Sequence, residues 1–435
     1  MHGKPTSTSA PFPSTLSFPI TMSFNVILSG STGNLGAYLL DELLSLPQID
    51  QVICLNRAEN AGEKQGNAHT VRGLTQPLDA SRVQFFTADF TAPQLALAPP
   101  TYAELAQHAD VFIHNAWPVD FNRNVRSFRP LIEGMAYLVE FCKSRTVADN
   151  SAHPMKLLFV SSIGATSNWG SAAPTSRSEV PEVEILDWKV ARTGYGQSKL
   201  LSERLLCHAA ATFAIPVAIV RVGQLCGPVR HDTKGKWPER EWIPSIIKSS
   251  MALNALPETL GPTEVVDWVP ADVAAQVIVD IVAPFVRDEL LGRSRRTAKA
   301  TRKMGKDAGS AHFFHIVNPR PSQWKQLVPA MRERMSDGMK TVSFVEWVDL
   351  LKASVAEAGG FQGVNEGLNP AGKLIDFFDN LQDRAIRFPH ARVAPLESVQ
   401  TQTVSATLRE LEAVRPEWMD LFLRQWGWDE VVDMK

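Results

Sequence analysis

The chain has 435 residues, 44 Lys+Arg against 46 Asp+Glu, a formal net charge of −2 and 44% hydrophobic residues. That length provides one large domain or two smaller ones sharing a core, and the near-neutral charge argues against a nucleic-acid binder working by bulk electrostatics. The 4 cysteines are scattered with no C-x-x-C, which speaks against a disulfide framework or a zinc site, and no apolar run is long enough to span a bilayer.

In chain order, residues 1–22 are rich in Ser, Thr and Pro and lack a charged segment followed by an apolar one. They read as a disordered leader or linker, not a secretory signal. Free thiols in apolar surroundings fit a reducing, cytoplasmic setting. The folded part is expected to open with a strand, Phe24–Leu28. It runs through Gly30-Ser-Thr-Gly33-Asn-Leu-Gly36 into a helix with Leu35, Leu39, Leu40, Leu43 and Leu44 on one face. Gly30 permits a tight turn, Gly33 keeps side chains away from a pyrophosphate, and Gly36 lets helix and strand lie close. The free N–H groups of the helix start then face phosphates, a dinucleotide-binding arrangement.

The second strand, Gln51–Leu55, ends in Asn56-Arg57. Such a strand end faces the adenosine ribose, and an arginine there suits the 2′-phosphate of NADP, with Lys64 and Arg72 adding charge. After the third strand, Val83–Thr87, Asp89 either reaches the adenine amino group or caps the next helix. The fourth strand, Asp110–His114, leads into Asn115-Ala-Trp-Pro-Val-Asp-Phe121, beside the pyrophosphate and ribose. His114, inside an apolar strand, reads as a packed structural histidine. The fifth strand, Lys156–Val160, ends in Ser161-Ser162. Thr193-Gly-Tyr-Gly-Gln-Ser-Lys199 opens a helix that puts Tyr195 and Lys199 on one face. The sixth strand, Val217–Val222, leads into glycines that admit a nicotinamide carboxamide.

Further on, a helix is expected at Ile243–Met251, a short strand at Val265–Val269, a helix from Pro270 to about Phe285 and a last strand at Phe313–Val317. Helical patterns follow around 322–335, 344–358, 371–386 and 413–427. Residues 287–306 carry eight Lys or Arg without apolar periodicity. The fold class is therefore α/β: a Rossmann-type doubly wound parallel sheet with a smaller, mostly helical C-terminal substrate domain. The NADP-binding part is expected at 23–230, completed by about 264–285 and 311–318, with the substrate-binding part at 231–263 and 319–435 and a basic mobile loop at 287–310.

Ser162, Tyr195 and Lys199 suit carbonyl reduction. A carbonyl oxygen that becomes an alkoxide needs a proton, which Tyr195 can supply. A phenol's pKa of about 10 needs help near neutrality, and a Lys199 ammonium favours the phenolate. Ser162 would hydrogen-bond the same oxygen, Lys199 would hold ribose hydroxyls, and no metal is required. The absence of H-E-x-x-H and G-x-S-x-G weakens hydrolase readings.

The glycine loop, the order Ser162, Tyr195, Lys199, and Arg221-Val-Gly-Gln-Leu-Cys-Gly-Pro228 resemble the extended short-chain dehydrogenases/reductases. Cys54-Leu-Asn-Arg57, His114-Asn-Ala-Trp-Pro-Val-Asp-Phe121 and Phe314-His-Ile-Val-Asn-Pro319 resemble the terminal thioester reductase domains of fungal non-ribosomal peptide synthetase-like and polyketide synthase enzymes. Carboxylic acid and aminoadipate reductases carry similar domains. The likeness covers roughly residues 23 to 430. It implies that NADPH reduces an acyl thioester, carried on the phosphopantetheine arm of a carrier protein, to an aldehyde and in some members to an alcohol. It also implies catalytic roles for Ser162, Tyr195 and Lys199. NADP would be lined by Gly30, Thr32, Gly33, Asn34, Leu35, Gly36, Arg57, Asp89, Phe90, Asn115, Ala116, Ser161, Lys199, Val222 and Gln224. Trp117 and Trp169 are candidate substrate contacts.

Nothing in the 435 residues resembles an adenylation or carrier domain, so an excised terminal domain or a free-standing member is expected. The basic run 287–306 reads as a solvated insertion, with docking of an acidic carrier protein as the alternative. A stand-alone aldehyde or ketone reductase is the second functional reading, and a NADP-sensing regulator the third. Neither nucleic acid nor membrane is expected as a partner.

Overall fold

The run Phe24–Ser29, β1, is buried along nearly its whole length, as a central strand of a parallel sheet must be. Its alternate residues serve two cores: Val26 and Leu28 face one, Ile27 the other. In the computed structural model, β1 is joined by β2 (Ile49–Asn56), β3 (Val83–Thr87), β4 (Val111–His114), β5 (Lys156–Ser162), β6 (Val217–Val222) and β7 (His312–Ile316). The order is β7-β6-β5-β4-β1-β2-β3, and every neighbouring pair is parallel. The structure describes residues 23–148, 155–169, 178–230, 234–287, 311–335, 338–360, 362–389 and 393–428. The expected leader and nearly all of the basic run lie outside them.

Helices cover both faces. They are α1 (Asn34–Ser45), α2 (Ala61–Arg72), α3 (Pro99–His108), α4 (Arg129–Ala148), α5 (Gly194–Phe213), α6 (Trp242–Leu253) and α7 (Ala271–Val286). The C-terminal region adds α8 (Trp324–Arg334), α9 (Phe344–Glu357), α10 (Ile375–Arg387), the short α11 (Val399–Val404) and α12 (Ala406–Glu410), and α13 (Pro416–Gln425). α1 and α7 contribute to one core, and α3, α4 and α5 to the other. This is a doubly wound sheet whose strand order reverses between β1 and β4, where such folds open a crevice at the strands' carboxyl ends.

The core under α1 and α7 continues into the C-terminal helices through Trp324, Trp347, Phe378, Trp418 and Phe422. Trp237, from the Trp- and Pro-rich segment after β6, is wedged between Trp268 at 5.3 Å and Phe422 at 5.4 Å. The strand expected at Val265–Val269 is broken in two. Val265–Val266 pairs antiparallel with Ser322–Gln323, and Val269–Pro270 pairs parallel with Leu225–Cys226. The break has a local cause: Trp268 is pulled into the core while the Asp267 carbonyl accepts from the Asn318 N–H at 2.9 Å.

Candidate active site

A cleft of about 2350 Å³ runs along the carboxyl ends of the strands. Its first wall is the turn after β1. A Cβ on Gly36 would lie 2.0 Å from the Gly30 carbonyl oxygen, so only glycine lets α1 start this close to the strand. Gly33, at the helix N-cap, has no side chain to occupy the first-turn N–H groups, and they remain available to an anion. Ser29 ties this turn to the end of β4. Its Oγ accepts from the Asn115 and Ala116 N–H groups at 3.0 and 3.1 Å and lies 3.0 Å from His114 Nδ1.

Gly30, Thr32, Gly33, Asn34 and Leu35 line the cleft, with Asn56, Arg57 and Lys64 beyond them at the end of β2. Gly36 is not on the cleft wall; its close approach to Gly30 sets the helix against the strand. Asp89 and Phe90 line it too. Asp89 Oδ1 accepts from Thr91 N at 2.9 Å and Thr91 Oγ1 at 2.7 Å, and these bonds hold its carboxyl below the ordinary range. Asp89 thus closes a local turn onto Thr91 and does not cap the next helix, whose first position follows Ala92. His114 is buried, packed edge-on to Phe90 and stacked on Phe159, and burial pushes its pKa down to about 3.

Tyr195, Ser162 and Lys199 are brought together. A Cβ on Gly196 would lie 2.1 Å from the Gly164 carbonyl, so glycine there lets α5 seat against the turn that follows Ser162. Thr193 caps the helix by accepting from Gly196 N at 3.1 Å. Burial pushes the Tyr195 phenol up to about 12, while hydrogen bonding with Ser162 pulls the other way. Lys199 Nζ donates to the Val160 carbonyl at 2.7 Å, over the faces of Trp117 at 4.6 Å and Phe159 at 4.5 Å. Burial lowers its amine well below the ordinary lysine value, opposed by the Glu203 charge. In this arrangement the downward pull on the phenol comes from the serine, not from the lysine expected to supply it.

Trp117 lines the cleft and is anchored by Nε1–H donating to Ser198 Oγ at 3.2 Å. Trp169 is placed elsewhere: it is half-buried against Val180, Ile185 and Val190, and it is not on the cleft walls. Ser161 lines the cleft, and its hydroxyl is engaged in donating to Glu203 Oε1 at 2.5 Å. Val222 and Gln224 line it, and Gln224 Oε1 accepts from Trp242 Nε1 at 2.7 Å.

Sequence reasoning missed the polar joint behind this wall. Glu203 and Arg221 form a buried ion pair, with Arg221 Nη2 to Glu203 Oε2 at 2.7 Å, and Arg221 Nη1 lies 3.1 Å from His315 Nε2. The one available signal was that Glu203 follows Lys199 by four residues on the same helix. It also missed the apolar branch. Phe121 lies edge-on to Tyr195 at 5.5 Å and stacks on Phe377 at 5.8 Å, which in turn meets Trp242 at 5.7 Å. Two acids there are raised by burial, Glu241 to about 7 and Asp267 to about 6.

The male sterility protein family, an NAD-binding family, matches residues 28–278. The carboxylic acid reductase of Neurospora crassa is 35% identical over 406 residues, covering 92% of this chain and 35% of that protein. A non-reducing polyketide synthase of Didymella fabae is 29% identical over 409 residues, covering 92% of this chain and 14% of that protein. The chain thus spans about a third or less of these curated relatives' length. The terminal R domain of the myxalamid PKS-NRPS pathway has the same fold, with a TM-score of 0.70 at 21% identity, covering 94% of this chain and 91% of that one. Together with the glycine cradle and the parallel sheet, the family match settles the assignment: the chain belongs to the male sterility protein family of NAD(P)-dependent oxidoreductases.

Proposed function

We propose that the chain is an NADPH-dependent reductase that releases an acyl group from a thioester as an aldehyde. One observation carries the reading: a single cleft joins the nucleotide cradle, the Ser162/Tyr195/Lys199 set and an apolar branch walled by Phe121, Trp242 and Phe377. The names of its relatives, a carboxylic acid reductase and polyketide synthases, agree with chemistry on acyl groups. We divide the chain accordingly. Residues 23–230, 264–285 and 311–318 hold the nucleotide, and 231–263 with 319–435 shape the substrate branch.

The residues present fit the cofactor. The Gly30–Leu35 turn would take the pyrophosphate on free N–H groups, and Arg57 with Lys64 would take a ribose 2′-phosphate. When bound, the reduced nicotinamide supplies a hydride to the acyl carbon. Ser162 holds the acyl oxygen by hydrogen bonding as charge develops on it. Tyr195 passes its phenolic proton to that oxygen, with the Ser162 hydrogen bond opposing the rise in its pKa on burial. Lys199 would hold the ribose hydroxyls, and the Glu203 charge opposes the lowering of its amine by burial. The resulting hemithioacetal collapses to aldehyde and thiol.

The substrate is then an acyl-phosphopantetheine carrier protein or a small acyl thioester. NADPH oxidation measured with an acyl-pantetheine thioester, and separately with the matching aldehyde, tests this. Thioester turnover falling about 10²–10⁴-fold in Tyr195→Phe is the expected result. Turnover of the aldehyde alone would instead make the chain an ordinary carbonyl reductase.

A further inference from the structure

Among the described residues, six arginines line the cleft, and they are not equivalent. Arg123 is paired with Asp120 at 2.9 Å, Arg387 with Asp383 at 3.3 Å and Arg240 with Glu366 at 3.9 Å. Among the described residues, the side chains of Arg57, Arg192 and Arg384 have neither a salt bridge nor a hydrogen bond. Arg57 stands at the end of β2, where the nucleotide reading uses it. Arg192 and Arg384 are left over, 192 residues apart in sequence yet facing the same cavity. Burial first, and the Arg192 charge second, hold the Arg384 guanidinium below its ordinary value. Asp383 on the same wall is taken by Arg387, and two like charges that share a cleft with no ion pair of their own among the described residues are unfavourable unless an anion joins them.

Their position separates them from the nucleotide. α10 presents Phe377, Leu381 and Arg384 to the cleft at helical spacing. Phe377 touches Phe121 and Trp242, and Trp242 is hydrogen-bonded to Gln224 just past β6. β6 lies four strand spacings from β2, about 19 Å, so this wall is remote from the Arg57 end. Seven residues along α10 place Arg384 about 10 Å beyond Phe377. A substrate lying on that apolar face with its carbonyl at Tyr195 would therefore run outward onto the two guanidiniums.

We propose that Arg192 and Arg384 form a second anion subsite at the outer end of the acyl branch, which holds an oxyanion carried by the substrate. The inference rests on the thioester or carbonyl reading of the site and adds a substrate class to it. The planar fork of each guanidinium matches phosphate or carboxylate oxygens. The oxyanion is either the phosphate of a phosphopantetheine arm or a carboxylate on the acyl chain.

The test begins without turnover, so a failure of thioester reduction leaves it intact. The nucleotide-saturated full chain is titrated calorimetrically with 4′-phosphopantetheine and with pantetheine. The expected result is tighter binding of the phosphorylated probe by about 10-fold or more, an advantage lost in Arg192→Gln/Arg384→Gln. If the phosphate gives no advantage, an aldehyde bearing a distal carboxylate is compared with its methyl ester. A lower KM for the carboxylate, lost in the same variant, upholds the subsite with the acyl chain as the source. Equal treatment of charged and neutral probes in both comparisons overturns the proposal, as does a variant that weakens both members of a pair alike. Arg384→Met alone, with an unchanged melting temperature, guards against a folding defect.

Discussion

In the proposed reading the choice of nucleotide rests on Arg57, an exposed side chain on the cleft wall with no ion pair among the described residues. A guanidinium on a 2′-phosphate makes charge-assisted bonds worth about 1.5–3 kcal/mol, or roughly 10–100-fold in affinity. Arg57→Ala should therefore raise KM for NADPH by at least about 10-fold and leave KM for NADH within about 3-fold, read from initial rates with each nucleotide. A parallel loss for both would place Arg57 outside the ribose site. The placement of Arg57, Ser162, Tyr195 and Lys199 on one cleft was legible because each sits at a fixed offset from a strand end or helix start. Ser29 was not: it reads as the residue after the expected strand Phe24–Leu28, and only the approach of β4 shows its hydroxyl bonding two backbone N–H groups across the crevice. Trp169 shows the reverse error, since an aromatic in a variable loop suggested a substrate wall but the fold tucks it beneath that loop.

Among the elements, the seven strands were readable because buried parallel strands are continuous apolar runs, and β3 and β6 match their expected bounds. The division of 265–269 was not readable, since its partners at Leu225–Cys226 and Ser322–Gln323 are distant in sequence. The same holds for the joint that unites β5, β6, β7 and α5. Arg221 is fully buried with Glu203, Ser161, His315 and the Pro181 carbonyl around it. Arg221→Met leaves Glu203 charged and buried, which should cost about 3–5 kcal/mol in urea unfolding. Removing both charges in Glu203→Leu/Arg221→Met should cost less than the single change, because no unpaired charge remains. Glu241 sits in a second polar joint, accepting from Trp237 Nε1 at 2.9 Å and Gln224 Nε2 at 3.4 Å. Its pKa rises from 4.5 to about 7 on folding, so the native state holds the proton more tightly. That contribution is present below pH 4.5 and lost as pH rises through about 7. The melting temperature should fall across that window, and Glu241→Gln should flatten part of the fall. The remaining slope is expected from Glu182 and Asp267, which shift in the same direction.

For the whole molecule, the decisive feature is that the nucleotide-holding sheet and the C-terminal helices do not own separate cores. Val26, Leu28 and the leucines of α1 belong to the same cluster as Trp347, Phe378, Trp418 and Phe422. Trp237 is the hinge of that continuity. It is fully buried, it meets Trp268 next to the sheet and Phe422 on α13, and its carbonyl accepts from Trp426 Nε1 at 2.8 Å. Because the cleft lies between surfaces held by one core, its glycine-turn end and its Phe121/Trp242/Phe377 end keep a fixed relation, which the proposed reaction would require. Such a chain should unfold as one cooperative unit despite its length. Near-UV circular dichroism, dominated by its 11 tryptophans, should lose signal at the same temperature as the far-UV signal and NADPH binding. Trp237→Ala, a large-to-small change in a packed site, should cost about 3–5 kcal/mol and move all three transitions together. If the variant lowered only the near-UV transition and left nucleotide binding at its original temperature, the two regions would be independent domains. The fixed geometry between cofactor and acyl branch would then have to come from ligand-driven closure instead of the shared core.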